Sequence, residues 1–310
     1  MRALVLGSAA GGGFPQWNCN DEISQRVRAG DAQLSPRTQS SLAVSSDGKR
    51  WVLLNASPDL RQQINEQVAL QPGPDDPKRS SPISAVVLTN ADVDHVAGLL
   101  TLRESHAFAL YASARVLDVL ADNSIFNVLN RDFVARRALP PDEAVVLHDS
   151  ANQSLGLVVT AFVVPGKAAL WREDTARTDF GTQDGDTIGL AVRSEDSDKT
   201  LFYIPGCAAM SDDLARRLRG ASLVFFDGTL WRDDEMIAQG VGKKTGRRMG
   251  HMSCSGEDGS MAAFGGLDVT RKIFIHINNT NPLLASGSLE RLEAEKRGWE
   301  VASDGMEIVL

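Results

Sequence analysis

Thr89-Asn90-Ala91-Asp92-Val93-Asp94-His95-Val96-Ala97-Gly98-Leu99 begins where the apolar run 85–88 ends. The run has the length and composition of a buried strand, so Asp92, Asp94 and His95 are expected just past its carboxyl end. Three other apolar runs finish in the same way: 201–204 leads to Cys207, 223–226 to Asp227 and 273–275 to His276. In layered α/β folds ligands gather at the carboxyl ends of strands, so carboxylate, imidazole and thiol groups delivered there can converge on one ion. Each residue also has a structural reading of its own. Asp94 can cap a helix starting near His95, and a single histidine after a strand is often simply packed.

Outward from this stretch, further strands are expected at 2–6, 41–45, 51–54, 108–111, 155–164, 188–192 and 306–310, and the run around His276 extends over 272–277. Helical patterns cover 95–104, 113–120, 211–218, 257–264 and 289–297, several opening on Ser or Asp. Strand-rich stretches in both halves suit two mixed sheets packed face to face with helices outside, an α/β (α+β) class, within one domain over 1–310. Two loops stand out. Residues 71–82 carry five of the prolines and glycines, and residues 165–186 hold Trp171, Phe180 and Gly166, Gly181 and Gly185. The second reads as a lid or as a surface insertion.

A composition 43% hydrophobic and 23% charged supports a large core, and the net charge of −8 argues against nucleic acid as a partner. Three scattered cysteines, Cys19, Cys207 and Cys254, fit a reducing compartment, and no apolar run approaches the ~18 residues of a membrane span. A soluble cytoplasmic protein without membrane insertion is the expectation. The glycine run 11–13 lacks a Walker lysine and a GxGxxG frame, so it reads as a turn.

The motif 89–99 resembles the metallo-β-lactamase signature HxHxDHxxG, with Asn90 and Asp92 at its first two histidines and Asp94, His95 and Gly98 at its Asp, last His and Gly. Longer blocks are similar to the coenzyme PQQ synthesis protein B family: residues 5–19, Arg37-Thr38-Gln39-Ser40-Ser41, Leu54-Asn55-Ala56-Ser57-Pro58-Asp59, Phe226-Asp227-Gly228-Thr229-Leu230-Trp231 and His276-Ile277-Asn278-Asn279-Thr280-Asn281-Pro282. The resemblance spans the whole chain and implies an αββα sandwich. Asn90 and Asp92 weaken one half of the two-metal centre, although Asp92 remains an additional candidate ligand. Ile204-Pro205-Gly206-Cys207 stands where the superfamily places a bridging Asp, so Cys207 is a further candidate ligand, a thiol behind the ligands, or core. Phe274-Ile275-His276-Ile277 resembles the segment with the last histidine ligand. Asp94, His95 and His276 remain, and two histidines with one carboxylate are the donor set of mononuclear non-haem Fe(II) oxygenases.

The resemblance implies a role in biosynthesis of pyrroloquinoline quinone (PQQ), with iron-dependent hydroxylation of the tyrosine-derived ring of a peptide-derived Glu–Tyr precursor and other PQQ biosynthesis proteins as partners. A zinc hydrolase and a carrier assisting transport towards the periplasm are the alternatives. Relatives often carry a CxCxxC structural zinc cluster, but here Asp21 and Ser24 follow Cys19, and one thiolate does not make a four-ligand site. No structural zinc is expected; Phe14, Pro15 and Trp17 should instead pack this segment or leave it mobile. Asp227 and His251, in Gly250-His251-Met252-Ser253, form a candidate acid/base pair. Lys243, Lys244, Arg247 and Arg248 read as a solvated loop or a clamp for substrate carboxylates, and Asn279 as a further substrate contact.

Overall fold

The computed structural model describes residues 1–174, 176–177 and 179–310. Its first six strands are β1 (Arg2–Gly7), β2 (Ser41–Ser45), β3 (Trp51–Leu54), β4 (Ile83–Val87), β5 (Phe108–Ala112) and β6 (Val134–Ala138). The next seven are β7 (Ala144–His148), β8 (Ser154–Val163), β9 (Ile188–Ser194), β10 (Thr200–Ile204), β11 (Leu223–Asp227), β12 (Arg271–Ile275) and β13 (Trp299–Val301), and β14 (Glu307–Val309) closes the chain. They form two seven-stranded sheets, ordered β14-β1-β2-β3-β4-β5-β6 and β13-β12-β11-β10-β9-β8-β7. Each sheet is half antiparallel and half parallel: β3 to β6 run parallel in one, β10 to β13 in the other.

Alternation along the strands builds the layers, because successive side chains point to opposite faces. In β11, Leu223 and Phe225 enter the core between the sheets, while Val224 and Phe226 face the outer layer. There Leu214, Leu218, Met261 and Ala294, from helices Asp212–Leu218, Ser260–Ala263 and Leu289–Lys296, cover them. Leu60, Val116, Val119 and Leu120, from helices Leu60–Glu66 and Ala114–Ala121, cover the first sheet. The result is an αββα sandwich. Burying each such Leu, Val or Phe contributes roughly 1.5–3 kcal/mol, and Phe274 stacks on Trp299 with centroids 3.9 Å apart.

Several elements differ from the sequence expectation for local reasons. The pattern at 95–104 becomes a single turn, Val93–Val96, continuing as the 3-10 segment Ala97–Leu102. Asp94 is not its cap; Asp92 occupies that position, and its carboxylate caps nothing. The pattern at 257–264 contracts to Ser260–Ala263. Strands β6 and β7 escape the pattern because they are edge strands with half-buried, partly charged faces, Arg136 and Arg137 among them. Helix Glu22–Arg28 escapes it because it buries only Ser24 and Val27. Asp21 accepts the Ser24 N–H at 2.7 Å and caps this helix, so the two residues at the positions of the missing thiols have a local task. Cys19 is buried and free; Phe14 packs in the core, but Trp17 is 86% exposed and packs nothing.

Candidate metal centre

Parallel strands β4, β10, β11 and β12 all deliver their following turns to one end of the sandwich. After β4, Asn55 holds the turn: its Oδ1 accepts the Thr89 N–H at 2.8 Å, and its Nδ2 donates to Thr89 Oγ1 at 2.9 Å. After β12, His276 takes a left-handed backbone with φ 60, a conformation His tolerates better than most residues, and Ile277 N–H ties the turn to Ser8 O at 2.9 Å. These turns bring Asp94, His95 and His276 together, with donor atoms all within 4.8 Å of one another. His276 Nε2 lies 3.0 Å and His95 Nε2 3.8 Å from Asp94 Oδ2, and the two imidazole centroids are 5.3 Å apart.

The far nitrogen of each imidazole is fixed by a polar partner. Asn90 Oδ1 accepts the Asp92 backbone N–H at 3.0 Å, which sets the amide orientation, and lies 2.7 Å from His95 Nδ1. An acceptor there requires Nδ1–H, so the His95 lone pair is on Nε2. That atom is buried and has no hydrogen-bond partner. Thr229 Oγ1 sits 2.6 Å from Asp227 Oδ1 and 2.8 Å from His276 Nδ1. Its single proton goes to the carboxylate, so it accepts from His276 Nδ1–H and leaves His276 Nε2 facing Asp94. An orphaned imidazole nitrogen, a second imidazole nitrogen whose proton towards the carboxylate an ion would displace, and the carboxylate itself are the donors a divalent cation needs. The residues present fit a metal ion.

Electrostatics agree with this assignment. Burial would raise the Asp94 carboxyl, but His95 and His276 more than offset it and hold it well below the usual carboxylate range. Burial pushes His95 down to about 4, so it stands neutral and able to ligate at pH 7. His276 is also opposed by burial, but its bond to Asp94 and the surrounding carboxylates raise it on balance.

Asp227, His251 and His276 make a second cluster of donors, of a different kind. Asp227 is fully buried and accepts the Cys207 N–H at 2.8 Å, the Thr229 N–H at 3.0 Å and the Thr229 hydroxyl, and lies 2.7 Å from His251 Nδ1. A carboxylate with these partners orients its neighbours rather than binding an ion. His251 stacks on His276 with centroids 5.1 Å apart and reaches the same cavity.

That cavity, about 680 Å³, is lined by Asp94, His95, His251 and His276 and also by Lys167, Leu170, Trp171, Lys243, Lys244 and Asn278. Five candidate residues need correction. Asp92 lies outside the donor cluster, in an ion pair with Lys167 at 3.2 Å. Cys207 also lies outside the donor cluster: its thiol donates to Ala209 O, and burial together with Asp227 pushes it up to about 12. Arg247 pairs with Asp258 outside the cavity, and Arg248 pairs with Glu173 at 2.6 Å while lying over the Phe180 ring. Asn279 is buried, and its neighbour Asn278 takes the lining position. Thr229 and Asn90 were missed as partners of the histidines. The carboxylate two residues before Thr229 hinted at such a bond, but only the fold brings His276 against it.

Replacing Thr229 with valine keeps the shape and removes the acceptor for His276 Nδ1–H. Metal affinity is expected to fall about 10–100-fold, as is usual when a ligand's outer hydrogen bond is lost, while Thr229→Ser retains affinity. Competition titration against a chromogenic chelator checks it.

A model of the Beta-lactamase superfamily domain matches residues 50–277. Coenzyme PQQ synthesis protein B of Xanthomonas euvesicatoria pv. vesicatoria (strain 85-10) is 53% identical over 310 residues, covering 100% of both chains. The protein of the same name from Rhodopseudomonas palustris (strain BisB5) is 50% identical over the same full length. The crystal structure of Zn(2+)-bound PqqB from Methylobacterium extorquens superposes with a TM-score of 0.93 at 48% identity, over 100% of each chain. With this sandwich and full-length identity near one half, the chain belongs to the coenzyme PQQ synthesis protein B family of the beta-lactamase superfamily.

Proposed function

We propose that the chain acts in PQQ biosynthesis as a mononuclear non-haem Fe(II) hydroxylase of the tyrosine-derived ring of a peptide-derived Glu–Tyr precursor. The observation that carries this reading is the buried, unpartnered Nε2 of His95 beside Asp94 and His276, with Asn90 and Asp92 both engaged elsewhere. Asp94, His95 and His276 would hold one ion, which supplies oxygen activation when bound. No helix among the described residues is long and apolar enough to cross a membrane. The reading places the protein in the cytoplasm beside the other PQQ biosynthesis proteins.

The chain's own residues supply orientation and proton transfer. His251 gives its Nδ1–H to Asp227, which leaves Nε2 as the atom that takes a proton from the substrate. Lys243 lines the cavity and forms no ion pair among the described residues, whereas Lys167 is paired with Asp92, and Lys244 lies 3.8 Å from Glu173. Lys243 is therefore the cation available to a substrate carboxylate. Lys243→Ala should raise KM about tenfold with little change in kcat, the pattern of lost uniform binding, while Arg247→Ala leaves both unchanged. Steady-state kinetics on the two variants separates them.

Anaerobic loading with Fe(II), exposure to O₂ and mass spectrometry of the precursor test the activity. One iron per chain and a gain of oxygen atoms are expected. Two zinc ions with no oxygen gained would instead identify a hydrolase, and retention of unaltered precursor or PQQ without any metal a carrier.

A further inference from the structure

Asp92 stands at the second histidine of the signature and lines the same cavity, yet its carboxylate is not among the clustered donors. It is turned to a short strap running across the cavity. Lys167 Nζ lies 3.2 and 3.3 Å from its two oxygens, and the Leu170 N–H donates to Oδ1 at 3.2 Å. One residue earlier, Ala91 O accepts the Trp171 Nε1–H at 3.1 Å. Three residues of the strap are thus bonded to two consecutive residues of the turn that carries Asp94 and His95. Ala168 and Ala169 are buried and the Ala168 N–H donates to Thr182 Oγ1, but the half of the strap that lines the mouth of the cavity has no such hold, since Leu170 is 60% and Trp171 39% exposed. The Lys167 and Asp92 side chains are 16% and 22% exposed, sheltered enough for their attraction to outlast screening by water.

We propose that Asp92 is a positioning residue that pins the strap 167–171 over the metal site and sets the opening through which substrate enters. A ligand position of the superfamily motif has become an anchor for a lid. The inference rests on the reading that Asp94, His95 and His276 hold the ion without Asp92.

Hydrogen–deuterium exchange on the full chain, paired with metal analysis, tests it. In Asp92→Ala, the Leu170 amide should exchange about tenfold faster or more, the order expected when a hydrogen bond to a charged acceptor is lost, while the Ala168 amide, bonded to Thr182 Oγ1, changes less. Asp92→Asn keeps an acceptor for Leu170 and loses the charge, so it should give a smaller rise. The double variant Asp92→Ala/Lys167→Met should exchange no faster than Asp92→Ala, because both remove the same pair. Metal content should match wild type in all three. Unchanged exchange in Asp92→Ala and Asp92→Asn overturns the proposal, as does loss of metal with the strap still protected, which would make Asp92 a ligand. Asp94→Asn separates the two readings: retained metal there defeats the three-ligand site and leaves the exchange result for Asp92 to stand or fall by itself.

Discussion

His95→Ala should abolish metal binding while leaving the fold intact. Four-ligand zinc sites bind with apparent free energies of about 10–16 kcal/mol, roughly 2.5–4 kcal/mol per ligand, so each lost ligand costs on the order of a hundredfold to a thousandfold. A site built on Asp94, His95 and His276 has no surplus donor to offset such a loss, because Asp92 is committed to Lys167 and Asp227 to His251. The fold should tolerate the change. Removing the buried ring leaves a void, but it also removes a nitrogen that has no partner in the metal-free protein, and the two effects oppose each other. Metal analysis should find no ion in the variant. In thermal unfolding, wild type should gain several degrees on adding metal and the variant none, since an ion stabilises only the state that binds it. His251→Ala makes the contrast. It should retain the ion with at most a modest loss of affinity and lose turnover, because His251 is not one of the three donors and touches the centre through stacking on His276 and its contacts with Asp227 and Thr229. A His95→Ala protein that still takes up one equivalent of metal would refute the assigned ligand set.

What could be read in the sequence follows from how locally each feature is determined. Asp94 and His95 directly follow a strand, and His276 ends another, so their meeting required only that parallel strands present their carboxyl ends to the same side. The Asp227–His251 pair was legible for the same reason on one side and by its Gly-His-Met context on the other. The basic stretch was legible only in its first half, Lys243 and Lys244. Nearness to His251 in sequence says nothing about direction at a 3-10 turn, and Arg247–Met249 forms such a turn, ending at Gly250 in a left-handed conformation. Arg247 consequently points to Asp258 and Arg248 to Glu173, leaving Lys243 and Lys244 at the cavity. Thr229 is the same problem in reverse. It is one of many threonines until β11 and β12 pair in parallel and put its hydroxyl between two histidines and a carboxylate.

Gly98 is the part of the motif whose role is steric, and Gly98→Ala should be among the most destabilising single changes in the chain. A Cβ at this position would stand 2.1 Å from Ser57 O and 2.8 Å from the Ala56 carbonyl carbon, against backbone that no rotamer change can move aside. The close approach has a purpose. Gly98 N–H donates to Ala56 O at 2.9 Å, and Ala56 N–H donates to His95 O at 2.8 Å, so the segment after β3 clamps the turn carrying Asp94 and His95. A methyl group there must push the two segments apart, breaking both bonds or bending the strand ends. Overpacking in a tight interior costs about 1–3 kcal/mol even where side chains can yield; here, with backbone on both sides, roughly 3 kcal/mol or more is expected. The displacement falls on the ligands themselves, so metal affinity should decline together with stability; Thr229→Val should weaken the metal through one lost hydrogen-bonding group, at a stability cost of about 1–3 kcal/mol for the buried partners it leaves. Urea unfolding of the metal-free variant reads the first effect and chelator competition the second. A Gly98→Ala protein as stable as wild type would mean that the contact between residues 56–57 and 98 is not as close as the structure has it, and that the glycine of the motif answers to something other than this clamp.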